Sequence, residues 1–203
     1  MSRAYATDTT ARIQVSHVKL TEPRAFRGLH PLGLRSERDA YLYVPKHYDA
    51  QKGAPLVVLL HGAGGSGQGT VSMLQEQADK AGFLILAPTS AKATWDFLID
   101  DFGPDVALIE RAISEVLSHY KTDPKHFAIG GFSDGASYAL TLGLTNGDLF
   151  THIIAFSPGF MMPPSRHGHP KIYISHGTDD RVLPINSCSH RIVPNLERSG
   201  YPV

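Results

Sequence analysis

Ser133 is the side chain of this 203-residue sequence best set for nucleophilic chemistry. It lies in Gly131-Phe132-Ser133-Asp134-Gly135, which fits G-x-S-x-G. In a chain with 19 glycines the pentapeptide alone is a weak signal. Its setting is stronger. It follows the apolar run 126–132, H-F-A-I-G-G-F, and opens a stretch of helical pattern, the strand–turn–helix context of a nucleophile elbow. So tight a turn leaves room only for small neighbours, hence Gly131 and Gly135. It lifts the hydroxyl above a sheet, at the positive end of a helix dipole, where attack on a carbonyl can begin acyl transfer.

Two further segments complete that chemistry. His61-Gly62-Ala63-Gly64-Gly65 follows the apolar run 56–60 and can bring backbone N–H groups up to a developing oxyanion. The amides of Ala63 and Asp134 are the expected donors. A phosphate-cradling loop is excluded because no G-K-[ST] follows Gly69. His61 is expected to hold the loop by hydrogen bonds, and the Asp134 side chain to suit a first helical turn. The third segment, H-G-T-D-D-R-V-L-P (176–184), follows the apolar run 171–175. An acid at a strand end after the serine fits the order Ser…Asp…His, and both Asp179 and Asp180 qualify.

Elements must hold these segments together. Residues 13–20 and 40–44 alternate apolar with polar, as half-buried antiparallel strands do. The runs 55–60, 83–87, 126–132, 152–156 and 171–175 are continuously apolar, as strands buried on both faces of a parallel sheet are. Helical patterns fill 71–81, 105–120, 135–144 and 185–199. In the second, Val106, Ile109, Ala112, Ile113, Val116 and Leu117 form one stripe, with Pro104 at its first turn. Alternation of strand and helix predicts one α/β unit over 1–203, a mostly parallel sheet with helices on both faces. Ligands then bind at the carboxyl ends of the strands.

Nineteen Lys+Arg balance nineteen Asp+Glu, and no like-charge run stands out, which argues against nucleic acid and anionic membrane surfaces as partners. The longest apolar run, 56–60, is far too short to span a bilayer, and residues 1–10 do not read as a signal peptide. The lone Cys188 fits a reducing compartment, so the expected location is the cytoplasm. His167 and His169 lack an accompanying carboxylate or cysteine cluster, so no metal or cofactor is expected.

Taken together, the three segments resemble the phospholipase/carboxylesterase family of the α/β-hydrolase superfamily, which includes acyl-protein thioesterases and small bacterial carboxylesterases. The resemblance extends to T-W-D (94–96), G-F-S-D-G-A-S-Y-A-L (131–140) and A-F-S-P-G-F (155–160). It implies an α/β-hydrolase fold, a small-molecule ester or thioester as substrate, Ser133 as nucleophile and, as fifth residue of the 176–184 segment, Asp180 as acid. Asp179 then becomes a loop residue. Trp95, Phe160, Met161, Met162 and Leu183 fall in loops at the expected rim, where they could wall an apolar acyl or aryl group.

One part departs from the family pattern. The base should be a histidine after Asp180, beyond one more strand, yet His190 is the only histidine there and it lies within the intervening helical pattern. At 100° per residue, Cys188, Ile192 and Leu196 fall within about 60° of Ile185, whereas His190 is about 140° away, on the solvent side. The base is therefore expected beyond Val203, the last strand and helix being absent from this stretch. A ligand-binding pseudohydrolase and a polyhydroxybutyrate-depolymerase- or dienelactone-hydrolase-like activity are the alternatives. A shortened sheet should leave an edge and apolar faces uncovered, which makes homo-oligomers an expectation.

Overall fold

The structure is a computed structural model; it describes residues 11–15, 20, 24, 26–99 and 101–203. Seven strands form one sheet in the order β1-β2-β4-β3-β5-β6-β7: β1 Gly28–Pro31, β2 Tyr41–Val44, β3 Ala54–Leu60, β4 Leu84–Ala87, β5 Thr122–Phe132, β6 His152–Phe156 and β7 Lys171–Ser175. β1–β2 and β2–β4 pair antiparallel; every pairing from β4 across to β7 is parallel. Leu56, Val57, Val58, Leu59 and Leu60 of β3 are all buried, which is why that strand reads as an unbroken apolar run. This is the α/β-hydrolase fold.

Five helices accompany the sheet among the described residues: α1 Gly67–Thr70, α2 Gln75–Ala81, α3 Pro104–His119, α4 Asp134–Thr145 and α5 Ser189–Arg198. The stripe expected on α3 is the buried one, Val106, Ile109, Ala112, Ile113 and Val116, and Pro104 sits in its first turn. α4 follows β5 and is buried from Gly135 through Thr145.

Several boundaries differ from the sequence expectation. The helix expected over 71–81 is broken into α1, a 3₁₀ turn at Val71–Met73 and α2. α5 begins at Ser189 because residues 185–188 spend their bonds on turns, Ser187 N–H to Pro184 C=O and Cys188 N–H to Ile185 C=O. Residues 11–15 are not a strand. They form an arm docked on the end of α4, where Ile13 N–H donates to Asn146 Oδ1 and Arg12 pairs with Asp148. Residues 16–19 of that expected strand lie outside the described residues.

All parallel strands end at the same side of the sheet, so the loops after β3, β4, β5, β6 and β7 gather there. One face of the sheet carries an open groove of about 500 Å³, lined by Val57 of β3, Ala128 of β5, Ile154 and Phe156 of β6 and Tyr173 of β7. After α5 the chain returns to β7, and Ile172 N–H donates to Pro202 C=O at 2.8 Å. No helix among the described residues is long and apolar enough to cross a membrane.

Candidate active site

Ser133 occupies the junction of β5 and α4 with φ 55° and ψ −119°, a left-handed backbone that non-glycine residues seldom hold. The two glycines around it are required by space. A Cβ on Gly131 would lie 2.5 Å from the Gly135 carbonyl and 2.8 Å from Leu60 O; one on Gly135 would lie 2.5 Å from His61 O and overlap Leu60 O. The elbow is thus wedged against the end of β3. Ser133 N–H donates to Phe156 C=O at 2.9 Å, tying the turn to β6 as well. The serine is half-buried, and its hydroxyl does not cap the helix it opens. That oxygen is left for chemistry.

The 61–65 loop lies against the elbow: a Cβ on Gly62 would be 3.4 Å from Ser133 Cβ. Asp134 N–H is one of the unpaired first-turn donors of α4, and Ala63 N–H has no backbone acceptor among the described residues. Neither amide is spent on a backbone bond. The loop itself is anchored from behind. His61 is 2 % exposed; its Nε2 accepts from Ser90 N–H at 3.0 Å, which fixes Nδ1 as the donor to Gly62 C=O at 2.7 Å. Burial holds the His61 pKa below the ordinary value, with Arg38 adding to the effect, so the ring is neutral. Gly64 N–H reaches Ala93 C=O at 2.7 Å.

Trp95 corrects the expectation of a substrate wall. It is fully buried, its indole N–H donates to His61 C=O at 2.9 Å, and its ring stacks on Tyr138. A side chain with no exposed surface supports the loop rather than touching a ligand. The buried acids Asp96 and Asp105 fix the same segment. Asp105 accepts from Ala91 N–H and Asp96 N–H; Asp96 accepts from Asp105 N–H, Gly103 N–H and the Tyr138 hydroxyl. Asp134 does more than suit a helical turn, since its carboxylate accepts from Thr94 Oγ1 at 2.7 Å.

Asp180 lies in the loop after β7. Its Oδ1 accepts from Val182 N–H and Leu183 N–H, both at 2.9 Å, and these two bonds hold its carboxyl below the usual range. Asp179 is exposed. Phe160 is half-buried, 6.1 Å from the Phe97 ring, and Met161 packs on the core. Met162 is mostly exposed. Leu183 is half-buried and faces Gly159, where a Cβ would come within 3.2 Å of it. The 157–162 segment is held to α4, through Ser137 Oγ to Gly159 N–H and Thr141 Oγ1 to Met162 N–H.

No imidazole among the described residues hydrogen-bonds Ser133. His190 is exposed and bonds Asn186 Oδ1 on its own segment. His176 is the histidine nearest the acid, with Nε2 3.5 Å from Asp180 Oδ2. Neither it nor the Thr94 contact nor the Asp96–Asp105 pair was legible in the sequence: these partners join loops with no periodicity between them.

Residues 100–194 match the phospholipase/carboxylesterase family model. A probable feruloyl esterase C of Aspergillus flavus is 28% identical over 174 residues, 81% of this chain and 62% of that protein. A putative esterase, NocK, of Nocardia uniformis is 27% identical over 149 residues, 68% of this chain and 43% of its own length. The chain therefore spans at most about three fifths of these relatives. Among solved structures, a ferulic acid esterase of Anaeromyces mucronatus superposes with a TM-score of 0.61 at 22% identity, over 81% of this chain and 74% of that one. Esterase PE8 gives 0.59 at 25% identity, over 79% and 85%. The chain has the fold of these α/β-hydrolase esterases, and residues 100–194 carry its likeness to the phospholipase/carboxylesterase family.

Proposed function

We propose that the protein hydrolyses carboxylic esters by acyl transfer through Ser133. The observation that carries this reading is the strained, uncapped serine between two glycines that cannot bear a Cβ. The hydroxyl attacks the ester carbonyl, and the Ala63 and Asp134 amides stabilise the oxyanion, an effect of several kcal/mol in sites of this kind. Asp180 orients the base. The base takes the Ser133 proton and passes it to the alcohol that leaves as the ester C–O bond breaks. Water, deprotonated by the same base, then attacks the acyl-enzyme, releasing the acid and returning the proton to Ser133.

The base is a histidine in the polypeptide following Val203. His176 does not serve, because both of its ring nitrogens are engaged and its side chain is 1% exposed. Pro202 already bonds the outer edge of β7, and a right-handed return from α5 would send the next residues parallel to β7, toward the end of the sheet where Ser133 and Asp180 stand. The relatives named feruloyl esterases favour an aryl acyl group of hydroxycinnamate type, with thioesters as the other class the chemistry admits.

The test is turnover of methyl ferulate and p-nitrophenyl acetate by the gene product read through past Val203. Ser133→Ala should abolish both activities, and the 203-residue chain alone should retain only a marginal rate. Wild-type turnover by Ser133→Ala would remove the serine from the mechanism.

A further inference from the structure

We propose that His176 is a positioning residue that holds the Asp180 carboxylate in place by bridging the acid loop to α5; this rests on Asp180 being the acid. Three contacts define the bridge. His176 Nε2 lies 2.6 Å from Leu183 C=O, Nδ1 lies 2.7 Å from Ser189 Oγ, and Nε2 is 3.5 Å from Asp180 Oδ2.

The tautomer follows from the partners. A carbonyl only accepts, so Nε2 carries the proton and donates to Leu183. In the neutral ring Nδ1 accepts, so the Ser189 hydroxyl donates. Ser189 is buried and is the first residue of α5. The imidazole therefore joins the far end of the acid loop to the start of the helix that follows it.

Leu183 is the shared link. Its N–H binds Asp180 Oδ1, and its C=O binds His176 Nε2. The acid and the imidazole grip opposite sides of one residue, so a shift of either moves the other. Oδ1 is occupied by two amides, and Oδ2 is the oxygen beside the His176 N–H; the Ser157 side chain is a further partner of the carboxylate. Neither ring nitrogen is free to exchange protons with Ser133, so His176 acts only through Asp180.

In the gene product read through past Val203, His176→Leu should lower kcat for methyl ferulate by about 10–100-fold, the scale seen when outer hydrogen-bond partners of an active group are lost. KM should stay within about twofold. His176→Gln, whose amide can donate to Leu183 and accept from Ser189, should recover most of kcat, and Ser189→Ala should fall between. Wild-type kcat in His176→Leu, a change in KM alone, or a Gln variant no better than Leu would overturn the proposal. If His176→Leu does not fold, the other two variants decide: a near-normal Gln with a slowed Ser189→Ala supports the bridge, and any other pairing overturns it. A Ser133→Ala control at wild-type rates would instead sink the catalytic reading and this role with it. The bridge itself is read separately from imidazole ¹⁵N shifts of the 203-residue chain, where a protonated Nε2 with bare Nδ1 is expected and the reverse tautomer contradicts it.

Discussion

The two halves of the site are held by different physics. Around Ser133 the constraint is steric: Gly131 and Gly135 bring the backbone of the elbow against Leu60 and His61 so closely that a methyl group has no place. Around Asp180 it is hydrogen bonding: two amides and an imidazole hold a half-exposed loop next to β7, at the margin of the sheet. Close packing deep in a sheet resists any displacement, because interiors have few voids to yield into. Hydrogen bonds at an edge fix a direction but give way one at a time. Ser133 is thus built into the fold, whereas Asp180 is adjustable.

That contrast breaks first at the elbow. Gly135→Ala should cost about 3 kcal/mol or more, the top of the usual range for overpacking, because the atoms it meets are backbone carbonyls that cannot step aside. We expect insoluble protein or a collapsed melting transition. A soluble Gly135→Ala variant with an unchanged melting curve would show that the elbow is not wedged against β3.

The acid side should respond through chemistry instead of folding. Asp180→Asn in the gene product read through past Val203 should lower kcat by on the order of 10⁴, as loss of the histidine-orienting acid does in other triads, with little change in melting temperature. Asp179→Asn, on an exposed side chain, should leave kcat within a few-fold. Reversed losses in the two kinetic assays would move the acid to Asp179 and cut the link from Leu183 to His176.

How much of this could be read from the residues follows the same division. Steric constraints leave a mark in the sequence: only glycine satisfies them, so G-F-S-D-G after an apolar run announces the elbow, and continuous apolar runs announce strands covered on both faces. Hydrogen-bonded constraints leave little, since histidine, serine and aspartate are common loop residues whose partners are set by folding. The sequence contains the 176–184 segment in full, yet nothing in it pairs His176 with Ser189, 13 residues on. Trp95 misled for a related reason. Its loop position suggested a wall, but the fold turns the indole inward to the His61 carbonyl. β1 was missed because Gly28–Pro31 is four residues long and includes a proline, tolerable only at a sheet edge.

The smallest expected effect compares the two halves through their titrations. His61, which anchors the 61–65 loop, has its pKa lowered by burial, so the folded protein resists protonating it while the unfolded chain binds the proton near the ordinary value of about 6.5. The unfolded state then binds more protons, and stability must fall as pH drops. The contribution is complete above about pH 6.5 and drains away below it, down to the folded pKa. Protonation would also set an Nε2–H against the Ser90 N–H that it now accepts from. Asp180, whose pKa is lowered by the Val182 and Leu183 amides, loses its contribution in a separate window, as pH falls below about 3.8. Thermal melts from pH 7.5 to 5 should therefore respond to His61 and not to Asp180. Each kcal/mol lost should lower the melting temperature by about 2–4 °C for a chain of this size. His30 and His152 are lowered by burial too and share in the slope. His61→Gln, with nothing to titrate, should melt lower at neutral pH yet show a shallower decline toward pH 5, whereas Asp180→Asn should keep the wild-type slope. An unchanged slope in His61→Gln would mean that the ring behind the 61–65 loop is not held neutral by its surroundings.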